Sequence, residues 1–175
     1  MHLRLYLGHG ASGTASSMAP FVDGLRRRGA EAYAIDLPVR RAEMAIAALR
    51  SVVPGGSGVA VGGHSYGGRV ASLAAADPAT GYEALVLFSY PLHAPGRPQG
   101  ADGRIAHWPA IRCPVLLLSG ESDPFARIDL LRAAIPLLAD GRLVTYPRLG
   151  HTLRPVLEDA LDRVARFLAE VADTV

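Results

Sequence analysis

The residues best suited to chemistry are Gly63-His64-Ser65-Tyr66-Gly67, a serine with a glycine two places to either side. The pattern G-x-S-x-G gains weight from its position. Val59–Gly63 is short and apolar on both faces, as a central parallel strand should be, and the residues after Ser65 read as a helix to about Asp77, where Pro78 ends it. A serine at such a strand-to-helix turn sits on a strained elbow. Strand and helix pass so closely there that side chains two residues before and after would collide, hence the glycines, reinforced by Gly62 and Gly68. The helix also aims its positive end at the serine. A plain glycine-rich turn is the bland alternative, and the strand–helix context argues against it.

A serine hydroxyl attacks well only when a base takes its proton. Six histidines are available: His2, His9, His64, His93, His107 and His151. Where such an elbow occurs, the partners follow in the order serine, acid, histidine. His151 alone lies beyond the final strand-like segment, in Arg148-Leu149-Gly150-His151-Thr152. Functional loops of an open parallel sheet gather at the carboxyl ends of its strands, which puts His151 on the edge that carries Ser65. His107 lies in an irregular stretch beside Trp108, and His93 is expected to line the pocket. The orienting acid should close an intervening strand. Ser119-Gly120-Glu121-Ser122-Asp123-Pro124 offers Asp123, which doubles as a plausible helix cap, with Glu121 and Asp102 as fallbacks. The oxyanion needs preorganised N–H donors: that of Tyr66, directly after the serine, and one from His9-Gly10-Ala11, with Ala11 the expected residue. That loop fits neither G-x-G-x-x-G nor the Walker pattern, so a phosphate cradle is disfavoured.

The elements that must position these groups alternate. Leu3–Gly8 and Ala32–Leu37 read as strands, with a helix between them (Met18, Phe21, Val22, Leu25) that Gly29 closes. Asp36-Leu37-Pro38 turns into a helix through Leu49. Leu85–Ser89, Val115–Ser119 and Leu143–Tyr146 are further strands, with a helix from about Phe125 and a last one from about Pro155. Pro91 to Pro114 is the longest irregular stretch, and such loops are usually functional. Strands joined by helices imply a parallel sheet with right-handed crossovers and helices on both faces. No linker or repeat divides the chain, so residues 1–175 form one domain.

Composition excludes several classes. Half of the residues are apolar, which rules out disorder, and no apolar run approaches the roughly 20 residues of a membrane helix. No secretory h-region is visible near the N-terminus. The single cysteine, Cys113, makes no internal disulfide, reads as a buried structural thiol and fits a cytoplasmic setting. The net charge of +2 argues against nucleic acid. Arg26-Arg27-Arg28 reads as a helix end, and Arg40-Arg41 as solvated helix-start residues that could meet an anionic substrate.

The sequence resembles the α/β-hydrolase superfamily over essentially its whole length, and within it the small dienelactone-hydrolase-like members. The resemblance rests on His9-Gly10-Ala11, Gly63-His64-Ser65-Tyr66-Gly67-Gly68-Arg69, Tyr90-Pro91-Leu92-His93, Gly120-Glu121-Ser122-Asp123-Pro124-Phe125 and Gly150-His151. It implies a three-layer αβα sandwich on a six-stranded, all-parallel sheet in the order 2-1-3-4-5-6, without the superfamily's two opening strands and without a cap domain. Dienelactone hydrolases proper use a cysteine nucleophile; Ser65 stands here, so their lactone chemistry does not carry over. The same segments resemble a eukaryotic chromatin-complex subunit, which keeps a non-catalytic binding module acting through protein partners as the alternative.

The expectation is therefore a serine hydrolase acting on an ester or thioester of a short or small acyl group, through Ser65, His151 and Asp123, with Tyr66 and Ala11 as oxyanion donors. Its shallow, partly open pocket would be built from Ser12–Met18, Tyr90–Trp108 and the region of Phe125, with His9, Gly10, Tyr90, His93 and Phe125 contacting substrate. No cofactor, metal, nucleic acid or membrane partner is expected. Oligomeric state is not readable from the sequence.

Overall fold

The computed structural model describes residues 3–174. Among them six strands form one sheet: β1 Arg4–Gly8, β2 Glu31–Ile35, β3 Val59–His64, β4 Ala84–Phe88, β5 Val115–Gly120 and β6 Gly141–Tyr146. Every pairing is parallel, in the order β2-β1-β3-β4-β5-β6. The helices are α1 Ala19–Arg27, α2 Ala42–Val52, α3 Tyr66–Ala75, α4 Ala101–Ile105, α5 Ile128–Ala134 and α6 Leu157–Thr174. No cap domain interrupts this core.

Side chains alternate across a strand, so a strand covered on both sides must be apolar at every position. β4 follows that rule: Leu85 and Leu87 join the core beneath α2, α3 and α5, while Ala84, Val86 and Phe88 join the one beneath α1 and α6. Leu117 and Leu118 divide in the same way on β5. The amphipathic α6 places Leu161, Val164, Phe167 and Leu168 against the second core. Arg28 ties it to α1, pairing with Glu158 and Asp162 across 130 and 134 residues of chain.

Two departures from the sequence reading have local causes. The stretch from Pro91 to Pro114 holds α4 and two 3-10 turns, Pro98–Gly100 and Trp108–Ala110, each too short for periodicity to reveal. The helix expected from Phe125 starts at Ile128, because Asp123 holds the preceding turn by accepting the Phe125 N–H. Cys113 is half-buried, and burial pushes its thiol up to about 11, in keeping with an inert structural role.

His107, one of the histidines considered as a base, packs against α3 with Nε2 2.9 Å from Ser72 Oγ. Burial first, then the nearby Arg69, lowers its pKa to about 4. A histidine in the unfolded chain titrates near 6.5, so between those values the unfolded state binds more protons and stability is lost as the pH is lowered. The ring is only partly buried, which limits the loss to about 1–2 kcal/mol. His107→Gln is expected to flatten the fall in urea midpoint between pH 7 and pH 4.5. Superimposable profiles for the two proteins would assign that fall to other groups.

Candidate active site

Ser65 links β3 to α3 at φ +51° and ψ −113°, a conformation that costs a non-glycine residue about 1–3 kcal/mol. Its surroundings hold it there. The Ser65 N–H donates to Phe88 O at 2.8 Å, and the Gly67 N–H donates to His9 O at 2.9 Å. A Cβ at Gly67 would overlap the Gly8 carbonyl, and one at Gly63 would overlap the same oxygen. Both glycines of the elbow are thus set by contact between α3 and β1. Gly62 answers a different constraint, since its Cβ would run into Val86 O on the neighbouring strand.

The His151 loop and the Asp123 loop meet over the end of β5. Gly120 permits this, because a Cβ there would strike the carbonyls of Leu149 and Gly150. The Ser122 N–H donates to Leu149 O at 2.9 Å and fixes the two loops together. Asp123 is fully buried at its side chain. Its Oδ1 accepts the Phe125 N–H and its Oδ2 accepts His151 Nδ1–H, each at 2.8 Å. His151 Nε2 lies 2.8 Å from Ser65 Oγ. With the Nδ1 proton committed to the carboxylate, Nε2 is left free to accept from the serine.

The fallback acids lie elsewhere: Glu121 bonds Arg132 and Thr145, and Asp102 is exposed on α4. His64 Nε2–H donates to His151 O at 3.3 Å, with ring centroids 5.3 Å apart. Burial, chiefly, holds His64 below the ordinary histidine pKa, so no second cation crowds the His151 ring at neutral pH. Phe125 covers His151 at a centroid distance of 4.5 Å.

Tyr66 opens α3, so its N–H has no acceptor one helical turn back. Ala11 is exposed and borders Ser65, and among the described residues its N–H has no protein acceptor. The Tyr66 hydroxyl donates to Pro38 O at 2.6 Å, anchoring the ring beside Ser65.

Gly10 and Phe125 line the clefts around Ser65, but three expected substrate contacts do not. His9 and His93 are only 2 % exposed. Each imidazole bonds the carbonyl of the following residue through Nδ1, Gly10 or Ala94, and accepts a distant backbone N–H at Nε2. The distant donors are Leu37 for His9 and Arg127 for His93, both at 3.0 Å. These histidines strap loops together beneath the site. Tyr90 is fully buried and donates to Arg104 O at 2.6 Å.

Ser65 lies between two clefts. One, of about 430 Å³, runs past Ser17, Phe21, His151 and Leu153. The other, of about 450 Å³, runs past Arg40, Glu43, Arg69 and Arg104. The sequence reading gave no role to Arg69, Arg104 or Gly120, although Arg69 and Gly120 stand in the motifs that carry the resemblance. Arg69 carried a signal, since it lies one helical turn beyond Ser65 and shares its face of α3.

Residues 36–174 match a family model described as an alpha/beta hydrolase domain. The chain belongs to the alpha/beta hydrolase family. The match is to the superfamily's domain and does not single out the dienelactone-hydrolase-like members. This alpha/beta hydrolase superposes on solved structures at low identity. A monoacylglycerol lipase of Paleococcus ferrophilus is similar at TM-score 0.81 and 14 % identity, over 98 % of this chain and 97 % of that one. Est1E of Butyrivibrio proteoclasticus, solved with ferulic acid, gives 0.79 and 18 % over 98 % and 90 %. An esterase of Pyrococcus furiosus gives 0.74 and 15 % over 97 % and 81 %. No curated protein sequence matches the chain.

Proposed function

We propose that this alpha/beta hydrolase is a serine esterase or thioesterase for small acyl groups, working through an acyl-enzyme intermediate. The reading rests on one observation: Asp123, His151 and Ser65 form a continuous hydrogen-bonded line, 2.8 Å at each step, ending on a strained elbow. The lipase and esterase folds to which the chain is similar agree with it.

Ser65 Oγ attacks the acyl carbon while its proton passes to His151 Nε2. The Asp123 carboxylate stabilises the resulting imidazolium and keeps its ring in register. The Tyr66 and Ala11 N–H groups receive the developing oxyanion. Collapse breaks the bond to the alcohol or thiol, which leaves with the proton from His151. Water then attacks the acyl-serine, gives its proton to His151, and releases the acid as Ser65 recovers a proton.

A fluorophosphonate probe tests this directly, because it traps only a serine whose base and oxyanion donors are working. Stoichiometric modification is expected at Ser65, located by mass spectrometry, and none in Ser65→Ala. Folded protein that resists the probe would overturn the catalytic reading and favour a binding module with protein partners.

A further inference from the structure

The cleft lined by Arg40, Arg41, Glu43, Arg69 and Arg104 carries four guanidiniums against one carboxylate, a net of +3. The whole chain carries only +2, so the positive charge of the molecule is concentrated beside Ser65. Two of the four stand where a helix disfavours them. Arg41 is the N-cap of α2, Arg40 precedes it, and neither caps the helix with its side chain. Cations at a helix N-terminus oppose the dipole, and the local compensation is slight: Arg41 lies 3.9 Å from Glu43, with both side chains exposed.

The inner pair is fixed more firmly. Arg69 donates to Glu43 at 2.7 Å and to Arg104 O at 3.4 Å. Arg104 donates to Pro91 O at 2.9 Å, and among the described residues it has no carboxylate within ion-pair distance. A guanidinium has five N–H donors, so most of those on Arg104 remain unused. Burial, and then repulsion from Arg69, lowers the Arg104 pKa, yet arginine stays charged in proteins. Arg104, partly buried beside a second cation and with no carboxylate of its own, is held ready for an anion.

We propose that this cleft is an acyl-side anion subsite, so that the substrate is an ester or thioester whose acyl chain ends in a carboxylate, a dicarboxylic acid half-ester. The proposal rests on the esterase reading for its orientation. The departing alcohol or thiol takes its proton from His151, so it lies in the cleft that His151 lines, and the acyl chain is left the arginine cleft. A planar carboxylate matches the fork of a guanidinium.

Adipoyl and hexanoyl thioesters of N-acetylcysteamine differ essentially in that terminal charge. The adipoyl thioester is expected to have at least tenfold the kcat/KM of the hexanoyl one, mostly through KM. The ratio should fall toward one in Arg104→Gln and with added salt, and recover in part in Arg104→Lys. Should Arg104→Gln fail to fold, Arg40→Gln/Arg41→Gln, at exposed positions, is expected to lower the ratio several-fold. A wild-type ratio near one would overturn the subsite while leaving the esterase reading intact. If neither thioester is cleaved, fluorophosphonate labelling decides the esterase reading, and calorimetry on the Ser65→Ala protein decides the subsite alone. The monoamide of adipic acid, an anion, should bind at least tenfold more tightly than neutral adipamide; equal or undetectable binding would sink the proposal.

Discussion

Asp123→Asn is expected to lower kcat for a simple ester such as 4-nitrophenyl acetate by about 10⁴-fold while leaving the fold intact. The geometry gives the reason. Asparagine at this position would keep its carbonyl on the Phe125 N–H, the bond that holds the turn. Its amide nitrogen would then face His151 Nδ1, where the carboxylate now accepts at 2.8 Å. An amide N–H must donate, so the imidazole would carry its proton on Nε2 and point it at Ser65. The base would be present, at the same distance from the serine, in the tautomer that cannot accept. Thermal melting should shift little against that kinetic loss, and labelling of Ser65 by the fluorophosphonate should slow in parallel. A loss below about tenfold would remove Asp123 from the mechanism.

The largest effect on folding is expected at Gly67. A Cβ there would overlap the backbone of Gly8, and neither side can easily withdraw. β1 is held between β2 and β3 by parallel pairing along its length, and the Gly67 N–H is already bonded to His9 O. Overpacking against backbone falls at the upper end of the usual cost, so Gly67→Ala should lose about 3 kcal/mol in urea denaturation. Activity should be lost as well, because α3 would lift and carry the elbow with it. Gly103→Ala is the control, since nothing lies within 4 Å of its Cβ. That position is in α4, so alanine should be neutral or stabilising by up to about 1 kcal/mol. A Gly67→Ala protein within 1 kcal/mol of wild type would mean that helix and strand have room to spare.

The sheet was legible because its signals are local. Apolar runs of strand length, punctuated by glycine and proline, specify a buried parallel strand wherever they occur, and the edges erred by only a residue or two. The elbow at Ser65 was legible for a related reason: the glycines around it record backbone crowding, which shows in the sequence. Loop side chains were harder to read. His9 and His93 sit in loops at the productive edge and were expected to face substrate, yet both turn inward. Their directions are set by N–H groups 28 and 34 residues away, and no local pattern encodes that. Gly120 stood in a quoted motif, but its role went unread because its crowding comes from the His151 loop, far along the chain. The arginine cleft was legible only at Arg40-Arg41, since Arg69 on α3 and Arg104 on α4 each look ordinary alone.

The Arg28 clasp between α1 and α6 bears on the order in which the protein can be made. A parallel sheet closes contacts between distant parts of the chain, and such contacts form late. The elbow needs only β1, β3 and β4 around it, all in place once residue 88 has emerged. His151, its hydrogen-bond partner, comes from the loop between β6 and α6, and the clasp spans 130 residues or more. During synthesis Ser65 can therefore adopt its strained turn before the loop that carries His151 has been made. On the proposed mechanism, competence to react waits for β6 and α6 to dock.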